Sequence, residues 1–313
     1  MTFRQYRSLN SFRQEHAEGI HLAVGMFDGI HIGHRTVVQS ALEHGAEKGG
    51  EVGILTFWPH PSRLFTPTEP TRMILTPEYK RQEFSKFDLS FLIEEPFTRE
   101  FSAVEADDFL NHLITRIPGL CSIHAGENWR FGKGRVGDME QLIKSSEGTD
   151  VSVFSVKCHH QGGDRVSSTR IRDLLVDGEL DQVNELLGYD YYSIGTVTQG
   201  KRLGRQIGVP TLNLPFEGDL RPRYGVYTVL VSDIDQDHWY PGVANFGVKP
   251  TVQDDSTPLL EVNLLEGCSF DYGHRLKVRW QSFLRSEQKF SGLDALKQQI
   301  AVDIERARKF FDL

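Results

Sequence analysis

The sequence predicts an α/β domain built on a parallel sheet, followed by a small antiparallel β-barrel closed by a C-terminal helix. Three observations predict it. In the first half of the chain, short apolar runs alternate with amphipathic stretches. From Tyr192 onward the rhythm changes to short strands parted by Gly/Pro turns. The final stretch, 291–311, is apolar at Leu293, Leu296, Ile300, Ile304, Ala307 and Phe311, the spacing of one helix face.

In the first half, strands are expected at 20–25, 52–58, 89–93, 121–125 and 151–156, with helices at 35–48, 77–87, 105–116 and 138–146. Strands separated by helices imply a parallel sheet covered on both faces, with ligands at the carboxyl ends of the strands. Two short helices, 168–176 and 179–187, close this half. The barrel strands are read at 193–198, 225–232, 240–246, 259–265 and 276–283, with a further strand entered near 211–214. The boundary falls between 187 and 192, giving domains 1–187 and 188–313. Internal repeats and low-complexity tracts are absent from the sequence.

With 313 residues the chain can bury two cores, and its net charge of −8 argues against a general nucleic-acid surface. No apolar run approaches the roughly 20 residues that span a bilayer, and the N-terminal Met1–Arg7 stretch lacks the apolar centre of a signal peptide. Cys121, Cys158 and Cys268 are scattered, without C-x-x-C spacing, as expected of reduced cysteines in a cytoplasmic protein. Anionic ligands therefore need local basic clusters. Two exist, at 165–172 and at Lys201, Arg202 and Arg205.

The strongest motif runs from Gly25 to His34, GMFDGIHIGH, where the first expected strand gives way to a helix. A helix N-terminus offers unpaired backbone N–H groups and a partial positive charge, a natural seat for phosphate. The imidazoles of His31 and His34 at that seat can stabilise charge developing on a phosphoryl group. The plainer alternative makes them ordinary helix-start residues. His60 in TFWPHP and Asn128 in GENWRFG fall at other strand ends. Downstream, Arg165, Ser168, Thr169 and Arg172 in RVSSTRIR place hydroxyls beside guanidinium groups, a second anion-binding surface. Ser168 or Thr169 also suits an N-cap there.

In the barrel half, the densest stretch is 195–214, GTVTQGKRLGRQIGVPTLNL. Of its four glycines, Gly200, Gly204 and Gly208 can bring backbone N–H groups close to phosphates while Lys201 and Arg205 neutralise charge. It is not a P-loop, because G-x-x-x-x-G-K-[ST] is missing. Thr211 and Asn213 alternate with leucines and so share one sheet face. Their oxygens suit a magnesium ion held by nucleotide phosphates; a hairpin loop with a solvated face is the alternative. Glu261, between Leu260 and Val262, is a carboxylate inside an apolar strand. Near such phosphates it can accept the proton of an attacking alcohol. Alternation also allows it to face outward, with Leu260, Val262 and Leu264 inside.

Together these motifs resemble the bacterial bifunctional riboflavin kinase/FAD synthetase family, over nearly the whole chain and in the family's order. GMFDGIHIGH, TFWPHP, the GENWRFG segment ending at Asp138 and VSSTRIR carry the resemblance in the first half. The 195–214 stretch, Gly225-Val226-Tyr227, VANFGVKPT, Glu261 and FLRSEQKF carry it in the second. The resemblance implies a Rossmann-like nucleotidyltransferase domain followed by a six-stranded flavokinase barrel. It further implies ATP, riboflavin, FMN and FAD as substrates and products, with Mg2+ as cofactor, and allows monomers or transient homo-oligomers. By motif position, His31 and His34 inherit adenylyl transfer. Gly25, Phe27, Asp28, Gly33, His60, Asn128, Arg165, Ser168, Thr169 and Arg172 inherit the surrounding ATP and flavin contacts. In the barrel, Gly200, Lys201, Gly204, Arg205, Gly208 and Pro210 inherit ATP binding, Thr211 and Asn213 the metal, and Glu261 the role of base.

Departures are few. Met26 stands where many relatives carry Asn, Trp58 where an acidic residue is common, and Trp129 where Phe is frequent. The 251–258 loop is short. Besides a pure flavin-binding protein, which ATP turnover would exclude, two other classes compete. In one the first domain is a flavin-binding or regulatory module beside an active kinase, against which the intact His31, His34, Ser168, Thr169 and Arg172 argue. The other is a cytidylyltransferase-like enzyme acting on an alcohol phosphate, against which PTLNL and Glu261 argue.

Overall fold

The computed structural model describes residues 3–13, 19–200, 208–248, 257–267 and 270–313. Lys201, Gly204, Arg205 and Cys268 lie outside them. The chain forms two compact units, Met1–Ser168 and Thr169–Leu313.

The first unit is a six-stranded, all-parallel sheet. Its strands are β1 (Arg4–Tyr6), β2 (Ile20–Val24), β3 (Glu51–Trp58), β4 (Phe91–Pro96), β5 (Leu120–Gly126) and β6 (Ser152–Val156), in the spatial order β1-β4-β3-β2-β5-β6. The chain winds outward from β2 through β3 to β4, then returns to start β5 on the other side of β2. The order therefore reverses between β2 and β5, and ligands of such sheets bind at the carboxyl ends of the strands beside that reversal. Every residue of β2 is buried, as a central parallel strand covered on both faces requires. Between strands run α1 (Ile32–Lys48), α2 (Ser62–Phe65), α3 (Pro77–Phe84), α4 (Arg99–Ser102), α5 (Phe109–Arg116) and α6 (Met139–Ser146). One face of the sheet packs Leu22, Leu55, Phe57 and Ile93 against Phe109, Leu113 and Leu142. Helix α1 lies along β2 and β5. Gly45 lets it come close, because a Cβ there would collide with Val52.

Helix α1 begins at Ile32, earlier than the expected 35, because a histidine caps it. The expected helix 105–116 is shorter, since Ala106 and Asp108 turn the chain before α5 begins. A small hairpin, β7 (His160–Gln161) with β8 (Asp164–Arg165), leads to α7 (Ser168–Asp177) and α8 (Leu180–Leu187).

The second unit is an antiparallel sheet of β9 (Tyr192–Thr196), β10 (Leu212–Pro215), β11 (Gly225–Asp233), β12 (Tyr240–Gly247), β13 (Leu259–Leu264) and β14 (Arg275–Ser286), ordered β10-β13-β12-β11-β14-β9. A bridge between Thr198 and Asn213 brings its two edges together into a nearly closed barrel. Trp280, Tyr227 and Phe246 fill the interior, with ring centroids 4.7 and 5.1 Å from Trp280. The terminal helix α9 (Leu293–Phe310) packs Ala307 against Val226, Val243 and Leu265 on the outer face. Helices α7 and α8 also pack on this barrel. The Arg223 N–H donates to Leu175 O at 3.0 Å, and Asn184 Nδ2 donates to Trp280 O at 2.9 Å.

Candidate functional sites

The first site begins where β2 runs out. Gly25 donates to Leu55 O at 3.1 Å, and the chain then enters a turn in which Phe27 (φ 49°), Gly29 (φ 81°) and Ile30 (φ 40°) all occupy the left-handed region. For Phe27 and Ile30 that conformation costs on the order of 1–3 kcal/mol each. Full burial of both side chains offsets it. Three side chains clamp alternate carbonyls of the turn. Thr56 Oγ1 donates to Met26 O at 3.1 Å, Ser168 Oγ to Asp28 O at 2.9 Å, and Arg35 Nε to Ile30 O at 3.1 Å.

The turn delivers His31 to the N-terminus of α1, where its Nδ1 accepts the His34 backbone N–H at 3.2 Å. An accepting Nδ1 leaves the ring proton on Nε2, so the remaining ring edge is a donor. The two imidazoles stack at 3.6 Å with 16° between planes, and the Phe27 ring stands edge-on to His34 at 5.3 Å. Gly33 makes room for the stack: a Cβ there would lie 3.3 Å from the His31 ring. Gly25 gives similar room to Phe27. The arrangement is a helix N-terminus carrying two imidazoles at the strand-order reversal, suited to an anionic phosphoryl group.

The other expected residues have different settings. Asn128 follows β5, the neighbour of β2, and its side chain folds over Gly126. The Glu127 carboxylate accepts the Cys158 N–H at 2.8 Å, tying this turn to the one after β6. Arg165 is exposed on β8. His60 follows β3, on the other side of β2, where its Nδ1 is 2.8 Å from Ser62 Oγ. Asp28 turns inward. Its carboxylate accepts the Ile74 N–H at 3.0 Å and the Leu75 N–H at 3.3 Å, so it fastens the turn to the segment before α3. Ser168 is the first residue of α7, and its hydroxyl holds the same turn; Thr169 and Arg172 follow in that helix's first turns.

In the barrel, Asn213 pairs with Glu261 across β10 and β13, and Glu261 pairs with Asn245 across β13 and β12. Directly opposed residues of antiparallel strands share a face, so these three polar groups form one row. Leu260 and Val262 point the other way into the core, at 1% and 0% exposure. Glu261 therefore faces outward, as strand alternation allowed, and stands beside Asn213 there. Gly200 abuts this row, since a Cβ on it would come 2.5 Å from the Asn213 amide. Gly208 has φ 82°. Pro210 O accepts from Asn263 Nδ2 at 2.8 Å, and Thr211 is exposed just before β10. Among the described residues no group of three or more His, Cys, Asp or Glu could hold a metal ion. Thr211 and Asn213 offer a hydroxyl and a carboxamide oxygen beside this row. Such a set fits a hard cation that arrives already bound by phosphates.

A family model described as FAD synthetase matches residues 13–170, and one described as riboflavin kinase matches 187–311. The bifunctional riboflavin kinase/FMN adenylyltransferase of Escherichia coli K12 is 36% identical over 98% of this chain and 97% of its own length. Those of Listeria monocytogenes and Bacillus subtilis are 34% and 32% identical, over 93% and 96% of this chain and 92% and 94% of their own. The chain belongs to the bifunctional riboflavin kinase/FMN adenylyltransferase family. A solved structure titled a macrolide-efflux protein from Streptococcus pneumoniae superposes with a TM-score of 0.86, at 27% identity, over 98% of this chain and 99% of that one. No helix among the described residues is long and apolar enough to cross a membrane.

For a riboflavin kinase/FMN adenylyltransferase, the residues that sequence reading missed are those brought in by pairing and packing. Asn245 joins Glu261 only through strand register. Thr56 and Arg35 reach the Gly25–His34 turn from β3 and α1. Lys80, inside the charged-looking PEYKRQEF helix, is 1% exposed.

Proposed function

We propose that two separate sites carry the two reactions of this family: riboflavin is phosphorylated to FMN in the barrel, and FMN is adenylylated to FAD in the α/β unit. The observation that carries the second assignment is the His31–His34 stack capping α1 beside the strand-order reversal.

In adenylyl transfer the FMN phosphate attacks the α-phosphorus of ATP, and pyrophosphate leaves. A phosphate monoester has its second pKa near about 6 and is already a competent nucleophile at neutral pH. This site therefore needs no general base. It needs alignment and charge stabilisation, supplied by the His31 and His34 ring N–H groups, the α1 N-terminus and the guanidinium groups of Arg165 and Arg172. Gly25, Phe27, Gly33, His60, Asn128 and Thr169 line the surrounding nucleotide and flavin contacts, and Asp28 and Ser168 hold the turn between them.

In the kinase step the ribityl 5′-hydroxyl attacks the γ-phosphorus, and Glu261 takes the hydroxyl proton. Thr211 and Asn213 would hold a magnesium ion that enters with ATP and neutralises phosphate charge. The 200–210 segment, with Gly200, Lys201, Gly204, Arg205, Gly208 and Pro210, receives the phosphates. The working domains are 1–187 and 188–313. A cytoplasmic location fits Cys121 and Cys158 as free thiols.

The test is an incubation of pure protein with riboflavin, ATP and magnesium, with flavins separated by chromatography. The wild type yields FMN and FAD. The variant carrying His31→Ala and His34→Ala yields FMN alone. Equal loss of both products in a folded double variant contradicts two independent sites.

A further inference from the structure

Lys80 is a charged side chain in a place that penalises charge. It lies on α3, at 1% exposure, among the buried Tyr79, Glu83 and Phe84. Its Nζ donates to Thr56 Oγ1 at 3.1 Å, and that hydroxyl donates in turn to Met26 O at 3.1 Å. Asp28 and Glu94 attract the ammonium, while Arg81 on the same helix opposes it. Glu94 is also bonded by Arg81 at 3.0 Å, and Glu83 by Arg35 and Lys86. A buried ammonium is costly, and an apolar chain of similar volume often stabilises such a site. The interactions that compensate the charge lead to the Met26–Ile30 turn. Lys80 grips Met26 through Thr56 and attracts Asp28, so the two ends of its influence bracket Phe27 in its left-handed conformation.

We propose that Lys80 is a positioning residue for adenylyl transfer, holding the strained Met26–Ile30 turn in the form that presents His31 and His34 to the phosphates. This rests on the reading that the Gly25–His34 turn carries that reaction. At 1% exposure Lys80 is placed to act through the turn and not on a substrate. Its work is to keep the turn from relaxing into a conformation without two left-handed non-glycine residues. Burial lowers its pKa to about 8, so the ammonium is retained at neutral pH and lost just above it.

The experiment compares wild type, Lys80→Met, Thr56→Val and the double-histidine variant as full chains, assayed for both reactions and for thermal unfolding. In Lys80→Met, kcat for FMN adenylylation falls about 10- to 100-fold, the scale of a small misplacement of catalytic groups. Riboflavin phosphorylation stays within about twofold and the melting temperature is not lowered. A merely structural lysine would instead lower the melting temperature together with activity. Thr56→Val gives a smaller loss of the same sign. Wild-type adenylylation declines as pH rises through about 8, while that of Lys80→Met is low and flat over the same range. A folded Lys80→Met enzyme with adenylylation within twofold of wild type overturns the proposal, provided the double-histidine variant has lost FAD formation. If that variant keeps FAD formation, the reading of the site falls instead. Should Lys80→Met not fold, a flat wild-type profile from about pH 7 to about 9.5, with no counterpart decline in the phosphorylation control, overturns it.

Discussion

Glu261 stands directly opposite Asn213 on one neighbouring strand and directly opposite Asn245 on the other. Register thus places two carboxamides beside the carboxylate, groups of a kind that can donate to it without neutralising its charge. Such a setting suits the role of general base proposed for Glu261. The same row reaches Arg285 through Val226, on the face that α9 covers.

Glu261→Gln keeps the shape of the side chain and its ability to accept a hydrogen bond, and removes the proton acceptor. FMN formation from riboflavin should fall by about 10²- to 10⁴-fold, the range for loss of a general base. The KM for riboflavin should change little. Adenylylation of supplied FMN should proceed at the wild-type rate. Near-normal FMN formation by the variant would remove Glu261 from this role.

A second expectation concerns acid. His124 is 1% exposed, with Nδ1 2.9 Å from Ser40 Oγ and Nε2 3.0 Å from Ser122 Oγ. Ser122 Oγ lies 2.8 Å from His21 Nδ1, and His44 packs against both histidines. Burial, then the neighbouring His44 and His21, push the His124 pKa down from 6.5 to about 3. Burial, with His21 beside it, also lowers that of His44. Between these limits the unfolded chain binds a proton that folded His124 refuses. Stability is therefore full above about pH 6.5 and is lost as pH falls toward about 3, by up to about 1.4 kcal/mol per pH unit. Urea unfolding of the full chain at several pH values, followed through FMN adenylylation, checks this. His124→Asn, which can still bond Ser40, should be less stable at neutral pH and less sensitive to acid. An unchanged acid slope in that variant would assign the loss to other groups.

How much of this was legible depended on whether the partner was near in sequence. The parallel sheet could be read because strands buried on both faces, such as Ile20–Val24 and Glu51–Trp58, appear as apolar runs. Strand β1 could not, being three partly exposed residues, Arg4–Tyr6, at the sheet edge. Helix α1 starts earlier than its sequence suggests because the usual signals of a helix start are Ser, Thr, Asp and Asn, whereas here His31 is the cap. Asp28 reads in the sequence as a ligand contact; the N–H groups of Ile74 and Leu75 that donate to its carboxylate are far along the chain. Lys80 is hidden because an amphipathic reading of 77–87 assigns its charged residues to the solvent face, whereas Lys80 and Glu83 are buried with Tyr79 and Phe84.

The last expectation follows from how α9 is fastened. Arg285 Nε donates to both Asp303 oxygens, at 2.9 and 3.0 Å, and Nη2 adds a bond at 2.7 Å. Gln299 Nε2 donates to the same carboxylate at 2.9 Å. Both charged side chains are largely buried, at 14% and 4% exposure. Removing one partner of such a pair leaves the other charge uncompensated, so Asp303→Ala should cost about 3–5 kcal/mol. The cost falls on the barrel: riboflavin phosphorylation should be lost at lower temperature than in wild type, with adenylylation of FMN retaining its wild-type heat resistance. Replacing both partners together, Asp303→Leu with Arg285→Met, removes the uncompensated charge and should recover much of the lost stability. Recovered stability separates packing from chemistry, because α9 covers the outer face that also carries Glu261. If phosphorylation returns with stability, the ion pair serves only to seat the helix. If stability returns and phosphorylation does not, Arg285 itself acts in phosphorylation, on the same strand row as Glu261.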